Sequence, residues 1–206
     1  GDTSRRVRAR TRAEERSTPV LGFIILLVIV VAVVLFAVSG FNRLRTQDIK
    51  AQEALGGIDV QLTRRADLVP NLVETVKGYA AHEKGVFEEV TRARAQVQAA
   101  TSAGGTVEQR AAAAEALDKS LVQVNAVAEA YPELKASQNF LSLQEQLAST
   151  EDQLAFARQY YNDSVSTLNT SVSTIPWMWM AGMAGVTKRA FYEAPSGQAT
   201  PPQVKF

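Results

Sequence analysis

The stretch VLGFIILLVIVVAVVLFAV, Val20 to Val38, holds nineteen residues without a polar side chain. At about 1.5 Å of rise per residue it would form a helix of roughly 28 Å, close to the ~30 Å hydrocarbon thickness of a bilayer. We therefore predict a transmembrane helix over residues 20–41. The alternative is a cleaved signal peptide with AVSG, residues 37–40, as its cleavage site, but the apolar run exceeds the roughly 7–15 residues of such signals.

The charges on either side of this span predict its orientation. A basic segment, residues 1–19, carries six arginines against three acidic residues, whereas Arg43, Arg45 and Lys50 follow the span. Basic residues concentrate on the cytoplasmic side of membrane helices. We therefore expect the N-terminus in the cytoplasm and the remainder of the chain on the outer side. The net charge of the whole chain is only +1, which gives no reason to expect nucleic acid as a partner.

The composition excludes several common kinds of site. The chain has no cysteine and one histidine, His82, so disulfides, a Cys/His zinc site and a Ser-His-Asp triad are excluded. A di-metal site in a helical bundle needs two Glu-x-x-His motifs, and one histidine cannot supply them. We predict no catalytic, cofactor-binding or metal-binding residues, and therefore no enzyme.

Beyond the span, apolar residues recur at intervals of three and four, which predicts an all-α fold. The expected architecture is an elongated antiparallel bundle over residues 42–175, followed by a short helix over 176–194 and a flexible tail over 195–206. Three long helices of the bundle are predicted at about residues 41–100, 108–130 and 138–173. A glycine pair ends the first of them, and Thr106 with Gln109 forms a candidate capping box for the second.

The segment RRADLVPNLVETVKGYA, residues 64–80, interrupts the first bundle helix with a proline. Pro70 cannot donate a hydrogen bond to the carbonyl of Ala66, so we predict a helix kink there. Asp67 would cap the helix beyond the kink, and the Asn71 amide would serve the freed carbonyls. Residues predicted to make interhelical or inter-subunit polar contacts here are Arg64, Arg65, Asp67 and Asn71.

Two further polar residues, Glu151 and Arg158, lie one heptad apart in the third helix and in register with its apolar stripe. If they project into the bundle, each needs a charged partner, because an unpaired buried charge is costly. Alternatively, Thr150 and Ala157 point inward and leave the two charges on the rim. Both arrangements remain open from the sequence.

A cluster of Trp and Met residues opens the short C-terminal helix. Such residues suit an adaptable partner surface or a membrane interface, or they cap the core of the bundle. With three long helices between the span and this cluster, we expect it at the end away from the bilayer, where another subunit or a partner would contact it. The predicted hydrophobic partner surface comprises Trp177, Met178, Trp179, Met180, Met183 and Phe191.

Three long motifs resemble those of the LemA family of bacterial membrane proteins. They are DVQLTRRADLVPNLVETVKGYAAHE, YPELKASQNFLSLQEQLASTEDQLAFARQYYNDSV and the terminal FYEA with PPQVKF, and the resemblance covers about residues 41–206. The resemblance implies a helical bundle in the bacterial cytoplasmic membrane, without an established active site. It also implies cooperation with envelope proteins such as membrane metallopeptidases. The arginine-rich extension before the span and the Trp/Met-rich IPWMWMAGMAG depart from the family pattern.

These features lead to two functional hypotheses. The first is a single-pass, membrane-anchored scaffold or adaptor that forms homo-oligomers or binds membrane-protein partners in the envelope. The second is a ligand-sensing bundle that changes its packing at Pro70 and signals through the membrane. The second hypothesis needs a defined pocket and a cytoplasmic output domain, for which residues 1–19 are too short.

Overall fold

The computed structural model describes residues 2–102 and 104–193, with side chains described from residue 21 onward. The regular secondary structure of these residues consists of helices, with no strands, as the sequence predicts. The predicted tail over 195–206 lies outside the described residues. The helices are α1 (Asp2–Lys77), α2 (Lys84–Thr101), α3 (Val107–Ala130), α4 (Pro132–Lys135), α5 (Gln138–Ser173) and α6 (Trp177–Ala184).

The chain divides into two compact units. One, which we call the anchor unit, combines Gly1–Thr46 with Ser171–Thr187, and the other, the bundle unit, combines Gln47–Thr170 with Lys188–Phe206. In the anchor unit, the large apolar side chains between Leu21 and Val38 are all about half exposed or more. This part of α1 is long and apolar enough to cross a membrane.

The core of the bundle unit is built from apolar stripes on α1, α2, α3 and α5. Most of the stripe residues are aliphatic, with alanines where the helices approach closely. Members with at most 1% exposure include Ile58, Leu62, Val69, Leu72, Val76, Val90, Leu117, Val124, Leu154, Val165 and Leu168. Burial of such side chains contributes roughly 1.5–3 kcal/mol each for the larger ones, so these stripes supply the main stabilisation of the unit.

The first bundle helix is shorter than the sequence predicts. Helix α1 passes Pro70 and ends at Lys77, and α2 begins only at Lys84. Two glycines flank the segment between them, and the Ala80 amide donates back to the Val76 carbonyl at 2.9 Å. The predicted single helix over 41–100 is therefore wrong. Its two parts form a hairpin, because Arg94 of α2 contacts the carbonyl of Ala66 in α1.

The turn between α2 and α3 follows the sequence prediction. Thr106 Oγ1 accepts from the amide of Gln109 at 3.2 Å, and the Gln109 side chain accepts from the amide of Thr106 at 2.8 Å. The capping box is thus confirmed. The preceding glycines are required, since Gly104 has φ +97° and a Cβ on Gly105 would lie 2.0 Å from the Ala100 carbonyl oxygen.

The short C-terminal helix is also shorter than predicted. Helix α6 ends at Ala184, because Gly185 adopts a left-handed conformation with φ 63° and the Val186 amide donates to the Ala181 carbonyl at 3.0 Å. Residues 186–193 are not helical. The prediction of a helix over 176–194 is therefore corrected to Trp177–Ala184.

Candidate functional site

Arg65 is the centre of a polar network inside the bundle unit. Its side chain is only 10% exposed, and its Nη1 atom donates both to Asp118 and to Glu151 Oε2, the latter at 2.6 Å. One guanidinium nitrogen therefore holds carboxylates from α3 and α5 against α1. Such an arrangement fixes helix register more than it stabilises the fold, since burying charges is itself unfavourable.

Arg158 extends this network along α5. Its Nη1 atom lies 3.5 Å from Glu151 Oε1, and its guanidinium carbon lies 5.3 Å from the centre of the Tyr192 ring. Arg158 is 14% exposed and Glu151 37% exposed. The structure thus combines the two arrangements that the sequence left open, because Thr150 also points inward and is buried.

The network is electrically balanced, with Arg65 and Arg158 facing Asp118 and Glu151. Burial raises the pKa of Asp118, and the nearby Arg65 charge opposes that rise only in part. The negative charge of Glu151, which shares the same guanidinium, raises it further. Burial likewise raises the pKa of the Tyr192 phenol, with Arg158 acting in the opposite direction.

Two asparagines of α5 hold the non-helical C-terminal segment by its backbone. Asn162 accepts from the Tyr192 amide at 2.8 Å and donates to the Tyr192 carbonyl at 3.0 Å. Asn169 makes the same pair of bonds with Arg189, both at 2.9 Å. Asn162 and Asn169 are seven residues apart on α5, a rise of about 10.5 Å, and Arg189 and Tyr192 are three residues apart in an extended segment, a span of about 10 Å. The distance between the two asparagines therefore matches the distance between the two backbone positions that they clamp. The clamps place Tyr192 beside Arg158.

Two more partly buried ion pairs join distant parts of the bundle unit. Arg110, at the start of α3, donates from Nε and Nη2 to the two oxygens of Asp59 at 2.5 and 2.9 Å, and from Nη1 to the Gly105 carbonyl. Arg189 donates from Nε to Asp48 at 2.7 Å. Sequence reasoning identified neither pair, nor Asp118, because the chain carries many charges with no local signal of which of them are buried.

Asn71 does not take the role expected of it near Pro70, and the predicted kink at Pro70 itself stays a prediction. Helix α1 continues through Pro70, and the carbonyl of Ala66 that Pro70 cannot serve accepts a hydrogen bond from Arg94 Nε at 3.2 Å. The sequence assigned this task to the Asn71 amide. Asn71 and Asp67 are both exposed, and Asn71 lines an open groove of about 520 Å³. Their predicted interhelical or inter-subunit contacts stay a prediction.

Arg64 lies beside the buried network but outside it. It is exposed, and its Nη1 atom donates to Gln153 Oε1 of α5 at 3.3 Å. The structure therefore separates two adjacent arginines that the sequence grouped together. Arg65 is a core residue, whereas Arg64 makes a surface contact.

The Trp/Met cluster packs within the anchor unit, against the end of the apolar span. Trp177 stacks on Phe36 with 5.4 Å between ring centres, and the Arg43 guanidinium lies 5.4 Å from the Trp177 ring centre. Helix α6 approaches α1 closely because residue 40 is glycine. A Cβ there would lie 2.4 Å from Trp177 and 2.6 Å from Met180. The expectation that this cluster lies far from the span is therefore wrong.

The other exposed members of the predicted hydrophobic surface lie in two places, on α6 and in the bundle unit. Met178, Trp179 and Met183 are 45%, 67% and 82% exposed on α6. Phe191 is 48% exposed but belongs to the clamped segment of the bundle unit. Among the residues that the structure describes, no three acidic or histidine side chains are grouped as metal ligands.

Comparison with known proteins agrees with the motifs of the sequence. The LemA family model matches residues 54–206. This chain belongs to the LemA family. It is 26% identical over 180 residues to the magnetosome protein MamQ of Magnetospirillum gryphiswaldense, an alignment covering 76% of this chain and 66% of that protein. It is 27% identical over 192 residues to the magnetosome protein MamQ 2 of Paramagnetospirillum magneticum, covering 82% and 70%.

Family membership, the helical architecture and the apolar part of α1 together suggest a membrane-associated helical protein. In this LemA-family chain the motif around residues 64–80 supplies Arg65 to the central network and Pro70 to the Arg94 contact. The motif FYEA supplies Tyr192, which the asparagine clamps position.

Proposed function

We propose that this LemA-family protein is a non-enzymatic scaffold, anchored in the membrane by α1, that assembles with copies of itself. The polar network supports this role, because it holds charged groups in fixed pairs across three helices. A scaffold needs rigid helices and an exposed contact surface, and both are features of the bundle unit. The apolar part of α1 supports the anchor.

The contact surface that carries the proposal is a groove between α1 and α5 in the bundle unit. It has a volume of about 480 Å³, and its lining includes the small residues Ala54, Gly57 and Ala157 beside the polar residues Glu53, Gln61, Asp152 and Gln153. Two aromatic side chains border it, Phe156 at 74% and Tyr160 at 52% exposure. Exposed aromatics beside a notch are typical of protein interfaces.

Gly57 is the most informative residue of this groove. A Cβ at this position would meet no atom within 4 Å, so the packing of the chain itself does not require glycine. Glycine inside a helix is less stable than alanine by about 1 kcal/mol. The space is therefore available for a side chain of another molecule. Because Phe156 is prominent on the same surface as this notch, two copies related by a two-fold axis would be self-complementary.

The test is a substitution that adds a side chain inside the groove. Gly57→Leu places a side chain in the notch, whereas Gly56→Leu adds the same side chain at the neighbouring position, where a Cβ also meets nothing within 4 Å. We expect the detergent-extracted wild type to be oligomeric by native mass measurement, Gly57→Leu to be mainly monomeric, and Gly56→Leu to resemble the wild type. A wild type that is monomeric at every concentration would refute self-assembly.

A second variant pair tests the aromatic border of the groove. Phe156→Ala should weaken association, while Leu141→Ala, which removes an exposed apolar side chain elsewhere on α5, should not. If self-assembly fails but crosslinking recovers an envelope membrane protein, for instance a metallopeptidase, loss of that product in Phe156→Ala would favour the adaptor form of the proposal.

The orientation in the membrane is part of the proposal. We propose an N-terminus in the cytoplasm and a bundle unit on the outer side of the bacterial cytoplasmic membrane. Single cysteines at Ser4 and Ser102 would report on the two sides, since the chain has no native cysteine. Labelling of Ser102→Cys, but not Ser4→Cys, by a membrane-impermeant reagent on intact cells is expected, and the reverse pattern would contradict this orientation.

A ligand-sensing bundle is the second candidate. It is supported by the open groove of about 520 Å³ lined by Asn71, Glu74, Tyr79 and Ser137, whose lining is largely polar. A thermal-shift screen that finds a small ligand, with the shift abolished in Asn71→Ala, would favour it. An unchanged shift in Asn71→Ala would remove this groove as the sensor site.

A further inference from the structure

The exposed surface of α6 is entirely uncharged. No charged residue occurs from Ser171 to Thr187. The large exposed side chains of this segment are apolar, namely Ile175, Met178, Trp179 and Met183, with Met183 82% exposed. The exposed polar residues Ser173, Thr174 and Thr187 lie outside α6, on either side of it. A surface helix that faces water normally carries charged or polar residues on its outer side. The outer side of α6 is therefore adapted to a non-aqueous surrounding.

The position of α6 along α1 indicates what that surrounding is. Trp177 stacks on Phe36, inside the apolar run that ends at Val38, and α6 also packs over Gly40. Arg43 lies about 7.5 Å beyond Val38 along a helix. The headgroup layer of a bilayer is roughly 5–7 Å thick on each side of the hydrocarbon. Residues 38–43 of α1, and α6 beside them, thus match the depth of that layer.

The contacts of Trp177 fit this depth. Tryptophan is enriched where hydrocarbon meets headgroups, because its ring is apolar and its N–H is polar. Arg43 contacts the same ring, and a long arginine side chain reaches from such a position toward lipid phosphates. Trp177 thus contacts an apolar ring at Phe36 and a cation at Arg43, seven residues further along α1, which matches the polarity gradient of the interface.

We propose that α6 is an interfacial membrane helix, placed by Gly40 at the headgroup boundary of the bilayer that α1 crosses, with Trp179 and Met183 in contact with lipid. This inference rests on the proposed membrane anchoring by α1. The partner is a phospholipid surface, because the exposed side chains of α6 are continuous with the lipid-facing span and lack the charges that would specify a polar protein surface.

The test uses Trp179 as a fluorescent reporter. The chain has two tryptophans, so Trp177→Phe leaves Trp179 alone and retains an aromatic ring against Phe36. The full chain is reconstituted in vesicles of phosphatidylcholine and phosphatidylglycerol, with or without phosphatidylcholine brominated on the upper acyl chain. We expect brominated lipid to lower Trp179 emission about twofold, and aqueous acrylamide to quench it far less than free tryptophan.

Two glycine substitutions in the Trp177→Phe background show whether Gly40 of α1 sets the position of α6. Gly40→Leu introduces a side chain where Trp177 and Met180 pack, whereas Gly22→Leu adds the same side chain where nothing lies within 4 Å. Both variants should float with vesicles. Quenching by brominated lipid should fall in Gly40→Leu and stay unchanged in Gly22→Leu. Equal quenching in the two variants would overturn the placement by Gly40.

The outcomes separate this inference from the anchor on which it rests. Failure of the protein to float with vesicles would remove the anchor itself. Flotation with Trp179 quenched by acrylamide and not by brominated lipid would leave the anchor intact and overturn the interfacial position. Protection of Trp179 from both quenchers, lost on dilution with empty vesicles, would show that a second copy covers α6 and would also overturn it.

Discussion

Replacing Arg65 by leucine tests the central network against a matched neighbour. Arg65→Leu removes the cation that Asp118 and Glu151 share, and Arg64→Leu removes an adjacent arginine that makes a surface hydrogen bond to Gln153. The two variants have the same change in charge and composition. Any difference between them therefore reports the buried position of Arg65.

The expected magnitude follows from the exposure of the three side chains. Breaking a fully buried pair by removing one partner costs about 3–5 kcal/mol, whereas exposed pairs contribute roughly 0–1 kcal/mol. Arg65 is 10% exposed, but Asp118 and Glu151 are 30% and 37% exposed, so water stabilises the remaining carboxylates in part. We expect a loss of about 2 kcal/mol for Arg65→Leu, and less than about 0.5 kcal/mol for Arg64→Leu.

Thermal unfolding of the detergent-solubilised full chain, followed by far-UV circular dichroism, measures this difference. For a unit of this size, about 2 kcal/mol corresponds to a Tm lower by roughly 4–8 °C. The m-value in urea should stay unchanged, because the amount of buried surface is nearly the same. Equal Tm values for the Arg64 and Arg65 variants would refute the assignment of Arg65 as the centre of the network.

The pH dependence gives the same prediction an independent check. Burial raises the pKa of Asp118, so the folded state binds this proton more tightly than the unfolded state does. The contribution of Asp118 to stability is therefore largest in acid and declines as the pH rises above its ordinary pKa of about 3.9. A protonated Asp118 carboxyl does not need a guanidinium partner. The difference in free energy of unfolding between the wild type and Arg65→Leu should consequently become smaller as the pH falls toward about 4.

Two other predictions concern the remaining arginines. Arg110→Met should lower the free energy of unfolding by about 2–3 kcal/mol, because it leaves Asp59 unpaired and removes the hydrogen bond to the turn before α3. Asp59→Asn should lower it by less, and equal losses for the two variants in urea unfolding would contradict this order. Pro70→Ala restores an amide donor for the Ala66 carbonyl, so Arg94→Met should be less destabilising in the Pro70→Ala background. A double-mutant cycle should give a coupling energy of about 0.5–1 kcal/mol between the two sites. Additive effects of the two substitutions would rule out the proposed role of Arg94.

Helix class and several helix bounds follow from the sequence because they depend on local signals. The capping box at Thr106 and Gln109 marks the start of α3, and Pro132 marks its end. The predicted third helix, residues 138–173, coincides with α5. In each case a residue with a strong intrinsic preference stands at the boundary, so tertiary packing had no conflicting preference to override.

The partners of the buried charges do not follow from the sequence. The motif around Pro70 predicts Arg65 as a polar contact residue, but its partners, Asp118 and Glu151, lie 53 and 86 residues away. Nothing in the local pattern distinguishes Asp118 from an exposed acidic residue. The clamps by Asn162 and Asn169 were missed for the same reason, because the segment they hold has no regular structure whose period could reveal it.

The turn at residues 78–83, which the sequence does not predict, accounts for the wrong expectation about the Trp/Met cluster. The sequence predicts one helix through Pro70 to about residue 100, whereas the chain reverses at residues 78–83, after α1 has passed Pro70. The sequence therefore suggested three long helices between the span and the Trp/Met cluster where there are four. Three alternating passes predict a cluster at the far end from the span, and that prediction does not hold for four. Within the anchor unit, Trp177 packs on Phe36 at the edge of the apolar run. We therefore expect the exposed side of α6 to face lipid rather than a distant partner.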